Sequence, residues 1–168
     1  MEQNYKELYR NVPPSKKDPY FKFRDTHPYK TIGSGGYTWK YISCKNGGRG
    51  TLLLLPGGTG EGIGFFRVIE NLNQYFSVIT LAYPFVNSIE ELLDGILAVM
   101  DAEQVKSAHM LGASAGGHIT LCLAKRNPDR VLKLVLTNTF VPEPEYESKI
   151  RQSPIFLRVF PRAREVYR

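Results

Sequence analysis

Leu111-Gly112-Ala113-Ser114-Ala115-Gly116-Gly117 sits behind the apolar run Val105-Lys106-Ser107-Ala108-His109-Met110-Leu111 and ahead of a helix-like stretch, Ala115 to Arg126. A G-x-S-x-G turn from strand to helix needs small residues two before and two after the serine. The strained backbone there brings sheet and helix close together while Ser Oγ projects outward. Gly112 and Gly116 meet that need, and Gly117 adds room. The pattern predicts a nucleophile at Ser114; the plainer alternative is a tight turn that happens to contain a serine.

Working outward, strands and helices alternate. Thr51-Leu52-Leu53-Leu54-Leu55 is continuously apolar, as expected of a strand covered on both faces, and Pro56-Gly57-Gly58-Thr59-Gly60 stops it. Tyr37 to Cys44 reads as a strand between the turns Gly33 to Gly36 and Lys45 to Gly48. A helix is expected near Ile63 to Asn73, a strand at Ser77 to Leu81, and a helix from Ser88, where Ser88 and Glu91 form a capping box. Ile89, Leu92, Leu93, Ile96, Val99 and Met100 recur at helical spacing and give a stripe suited to covering a sheet. After Asn127-Pro128-Asp129-Arg130, the run Val131 to Leu136 is the last strand of the series. Alternating β and α predicts an α/β fold with a mostly parallel sheet and helices on both faces.

The chain has 168 residues and 42% hydrophobic content, which fits one core-bearing domain. No run of about 18 apolar residues occurs, and the first eleven residues are polar and charged, so neither a membrane span nor a secretory signal is expected and the location expected is cytoplasmic. Cys44 and Cys122 lack metal-ligand spacing, and no metal or cofactor is expected. The net charge of +6 is concentrated in residues 1 to 30 and in the arginines from Arg151 to Arg168. Interleaved aromatics such as Tyr9, Tyr20 and Phe23 would suit a nucleic-acid or membrane surface. No nucleic-acid motif accompanies them, so a solvated arm without nucleic-acid partners is the reading adopted.

In an open parallel sheet, ligands collect beyond the carboxyl ends of the strands. The loops at Pro56 to Gly62, Tyr83 to Asn87, Ser114 and Thr137 to Val141 should therefore share one rim. The backbone N–H of Ala115, opening a helix, suits a developing oxyanion. The second donor is expected from the glycine loop, at Gly58. The same loop lacks the Gly-Lys-Ser/Thr ending of a phosphate loop and the G-x-G-x-x-G of a dinucleotide site, which argues against nucleotide binding.

Leu55-Pro56-Gly57-Gly58, Gly112 to Gly117 and Pro128-Asp129-Arg130-Val131, in that order, resemble the α/β-hydrolase fold over about residues 37 to 140. Within it, Gly64-Phe65-Phe66-Arg67, Val78 to Pro84, Leu111 to Gly117 and Leu136-Thr137-Asn138-Thr139-Phe140 are similar to the maspardin-like group. Pro56 departs from the histidine that many members carry beside the oxyanion loop. The resemblance implies hydrolysis of an ester or related acyl substrate, attack by Ser114, oxyanion binding by Ala115 and Gly58, and a triad completed by an acid and then a histidine well beyond the nucleophile.

That histidine is not found. His27 precedes the sheet, His109 lies in the strand before the serine, and His118 is one turn along the same helix, where a packed or surface role is expected. Asn138, Glu143, Glu145 and Glu61 are the nearest candidates for the acid position, the glutamates being expected in solvent. The expected organisation is an extended basic and aromatic arm over 1–30, a hydrolase-like core over 31–146 lacking the C-terminal strands, and the start of a cap-like helix over 147–168. Two functions follow: a serine hydrolase whose base is missing from this chain, or a non-catalytic, maspardin-like binding protein with a protein partner or a second copy of itself.

Overall fold

In the computed structural model, which describes residues 5–46 and 48–140, the leucine run forms a central strand whose successive side chains enter two different layers. Six strands make one sheet: β1 (Lys30–Ser34), β2 (Tyr37–Cys44), β3 (Thr51–Leu55), β4 (Ser77–Ala82), β5 (Ala108–Ala113) and β6 (Val131–Thr137), in the spatial order β1-β2-β4-β3-β5-β6. β4, β3, β5 and β6 run parallel, while β1 and β2 add an antiparallel edge. Among the described residues five α-helices accompany them: α1 (Tyr5–Leu8), α2 (Pro14–Thr26), α3 (Phe66–Leu72), α4 (Ile89–Ala102) and α5 (Ala115–Arg126). Because parallel neighbours need crossovers, α3, α4 and α5 each carry the chain back to the amino end of the next strand.

Leu53 and Leu55 pack with Trp39, Ile79 and Leu81 against α4 and α5, and Leu52 and Leu54 pack with Ile42 and Val78 against α2 and α3. This is the period-two alternation of a strand covered on both faces. The α4 stripe is buried at Leu92, Leu93, Ile96, Val99 and Met100, with Ile89 partly so. Ser88 Oγ accepts from the Glu91 N–H at 3.1 Å, and the Glu91 carboxylate accepts from the Asn87 N–H at 2.7 Å, so the cap expected there forms. Gly95 is the point of closest approach: a Cβ there would run into the Trp39 ring.

The N-terminal region differs from the sequence expectation. Residues 14–26, expected within an extended arm, form a 13-residue helix that buries Phe23 and begins with Pro14 in its first turn, where a missing N–H costs nothing. Pro19 inside the helix and the thin apolar pattern hid it. Lys30–Ser34, read as arm and turn, is an edge strand with a single apolar residue, paired to β2 through a turn at Gly35 and Gly36, both at positive φ. β5 starts later than expected and extends through Ala113 into the serine motif.

At the amino ends of the strands, Glu103 is almost fully buried. Its carboxylate accepts from Lys30 Nζ at 2.8 Å, Tyr41 Oη at 3.0 Å and Ser43 Oγ at 3.0 Å, and pairs with Lys45 at 3.0 Å. Burial works to raise the Glu103 pKa, but these four donors override it and hold the carboxyl at about 2. Burial, reinforced by the Glu103 contact, pushes the Tyr41 hydroxyl up to about 12. On the far side of the sheet, β6 exposes Leu132, Leu134, Val135 and Leu136. The segment 147–168, expected as a cap-like helix, lies outside the described residues, as do Glu143 and Glu145.

Candidate active site

Ser114 links the last residue of β5 to the first residue of α5 with φ 53° and ψ −122°. A side-chain-bearing residue at positive φ is strained unless its surroundings hold it. The backbone of Ser114 is held at both ends: its N–H donates to Thr137 O at 2.9 Å, and its carbonyl accepts from Gly117 N at 2.9 Å and from Thr139 Oγ1 at 2.8 Å.

The glycines explain why the turn closes so tightly. A Cβ at Gly112 would strike Thr120 and the α5 backbone, one at Gly116 would strike the carbonyls of Leu55 and Pro56, and one at Gly117 would strike Thr139. Gly116 therefore presses the start of α5 onto the end of β3, and this contact carries the loop after β3 past the serine. A Cβ on Gly57 would lie 3.0 Å from Ala113 O, 3.1 Å from Ser114 Cβ and 3.7 Å from Ser114 Oγ. Gly57 begins a turn closed by Gly60 N–H donating to Gly57 O at 2.9 Å, with Gly60 at φ 68° and Gly58 inside it.

The fold thus brings together Ser114, the buried Ala115 at the first position of α5 and the turn containing Gly58. The N–H of a first helical residue has no intrahelical partner and carries the positive end of the helix dipole. The sequence did not single out Gly57, where a Cβ would lie 3.1 Å from Ser114 Cβ, or Thr139, which donates to the Ser114 carbonyl. Both are small residues near a predicted rim, a signal too general to rank them.

The histidines are all described, and no histidine ring hydrogen-bonds to Ser114, although the His118 backbone N–H donates to the Ser114 carbonyl at 3.4 Å. His27 stacks on Phe23 with ring centroids 4.1 Å apart. His109 sits edge-on to Phe76 within β5. His118 Nε2 lies 3.6 Å from Cys122 Sγ, and its ring stacks on Phe140. Asn138, at φ 48°, follows β6 on the rim, and Glu61 accepts a hydrogen bond from Tyr29 Oη at 3.1 Å. Burial, reinforced by Glu61, pushes the Tyr29 hydroxyl up. Burial alone pushes up the Tyr83 hydroxyl, whose oxygen has no hydrogen-bond partner. Among the described residues no group of three or more His, Cys, Asp or Glu side chains could hold a metal ion, and no helix is long and apolar enough to cross a membrane.

A family model described as alpha/beta hydrolase fold matches residues 50–166. An uncharacterized hydrolase of Bacillus subtilis is 28% identical over 119 residues, covering 65% of this chain and 44% of its own length. Maspardin of Danio rerio is 33% identical over 129 residues, covering 72% of this chain and 41% of its own. A crystal structure of a hydrolase from Pseudomonas aeruginosa superposes with a TM-score of 0.60 at 23% identity, over 75% of this chain and 54% of that one. The chain spans less than half the length of these two curated relatives.

Proposed function

We propose, for a chain that belongs to the alpha/beta hydrolase fold family, that Ser114 is the nucleophile of a hydrolase acting on an ester or related acyl substrate. The observation that carries this reading is the strained Ser114 backbone, held beside a glycine turn that leaves its Oγ next to Gly57. Strain of this kind persists where the surroundings enforce it, and a serine so presented can reach a carbonyl carbon.

In the proposed reaction Ser114 Oγ attacks the acyl carbon, the carbonyl oxygen gains negative charge, and the N–H groups of Ala115 and Gly58 stabilise it. The Ser114 proton needs an acceptor, and among the described residues no histidine ring hydrogen-bonds to Ser114 to supply one. A serine hydroxyl with no base is a poor nucleophile. The 168-residue chain is accordingly expected to turn over an aryl ester slowly or not at all. Added imidazole, corrected for its own reaction with the ester, should raise the rate in the native chain and not in Ser114→Ala. Turnover that survives Ser114→Ala would overturn the assignment.

The same absence of a histidine at Ser114 favours a second reading, a binding protein that keeps the fold without the chemistry. It predicts no response to imidazole and partner binding that Ser114→Ala leaves intact.

A further inference from the structure

We propose that the pocket beside the glycine turn binds an organic cation; on the acyl-hydrolase reading, on which this role rests, it receives a cationic group of the substrate. The pocket has a volume of about 340 Å3 and is lined by the turn residues Gly58 and Gly60 together with Glu61, Tyr83, Pro84 and Phe85. The turn connects it to the nucleophile, since a Cβ on Gly57 at one end would lie 3.1 Å from Ser114 Cβ and Gly60 at the other carries the pocket wall.

Three features favour a cation. Glu61 is the sole acidic residue of the lining, and no lysine or arginine lines the pocket with it. Among the described residues no basic side chain forms a salt bridge with Glu61, whose carboxylate accepts from the neutral Tyr29 hydroxyl while its backbone N–H donates to Thr59 Oγ1. Two aromatic residues complete the lining. The Tyr83 ring packs over Gly60, which a Cβ would bring to 3.6 Å from it, and the Tyr83 N–H donates to Gly60 O at 2.9 Å, so that wall is fixed. Phe85 is 75% exposed at the opposite end of the segment, a large aromatic surface open to a ligand. A carboxylate with aromatic faces attracts an ammonium group through charge and ring quadrupole together, whereas an anion meets only repulsion from Glu61. The +6 charge of the chain works against cations at long range, so any selectivity must arise locally from this lining.

The test uses the 168-residue chain and two probes of similar shape, tetramethylammonium chloride and neutral tert-butanol, titrated at constant ionic strength while backbone amide NMR signals are followed. Tetramethylammonium should give saturable shifts at Gly58, Gly60, Tyr83 and Phe85, and tert-butanol should not. Glu61→Gln and Phe85→Ala should each weaken binding by roughly threefold to tenfold, and Ser114→Ala should leave it unchanged. Absence of saturable shifts, equal response to the neutral probe, or unchanged affinity in Glu61→Gln overturns the proposal. Failure of the hydrolase reading shows separately, as a Ser114 that does not react, and the titration still decides whether the pocket takes a cation.

Discussion

At the amino ends of the strands a buried glutamate is surrounded by donors, whereas at the carboxyl ends a strained serine is left with its hydroxyl uncommitted. Glu103 gathers two lysines, a tyrosine and a serine from the start of β1, from β2 and from the residue after it. Ser114 spends its backbone groups on Thr137, Gly117 and Thr139, and no described side chain hydrogen-bonds to its Oγ. One end of the sheet is electrostatically saturated and ties strands together. The other is sterically closed yet chemically open, which is the asymmetry expected when ligands meet the carboxyl edge of a parallel sheet.

The largest effect expected from breaking this contrast is at Gly116. Gly116→Val would drive a side chain into the Leu55 and Pro56 carbonyls, and should cost about 3 kcal/mol or more by denaturant unfolding. A cost below about 1 kcal/mol would show that α5 can slide away from β3 and that the rim is not sterically fixed. Glu103→Ala should follow, at roughly 2 kcal/mol, because it strips the buried Tyr41 hydroxyl and two lysines of their acceptor.

The same site carries a pH signature. Its folded pKa of about 2 lies below the ordinary 4.5, so its contribution is complete above about pH 4.5 and is lost as the pH falls through about 2. Glu103→Gln should flatten the stability profile in that window and leave it unchanged in slope near neutrality. An equally steep acid loss in the variant would place the titrating group elsewhere. The smallest effect has the opposite sign. Ser114→Gly removes a side chain from a backbone at φ 53° and should raise stability by about 1 kcal/mol while removing the nucleophile. Destabilisation would mean that the serine side chain supports the turn.

Much of the fold was legible because burial writes itself into residue order. The four leucines of β3, the α4 stripe and the Ser88 cap each follow from a local pattern with one physical solution. The glycines around Ser114 were equally legible, since their spacing reflects backbone contacts that no side chain could share. What escaped lacked such a pattern. α2 buries only Phe23 fully and contains Pro19, and β1 is an edge strand with one apolar residue, so neither carries a periodicity. Gly57, Thr139 and the pocket between Glu61 and Phe85 depend on segments distant in sequence arriving at one rim. That arrival is a product of strand order, which alternation alone does not specify.

The central claim, that the chemistry of this chain resides on Ser114, is tested most directly by intact-mass spectrometry after exposure to a fluorophosphonate, with Ser114→Ala as the control. The account predicts a single adduct on Ser114, slow to form, accelerated by imidazole and absent from the variant. A folded chain that acquires no adduct even with imidazole, or one that is labelled equally in Ser114→Ala, would contradict it.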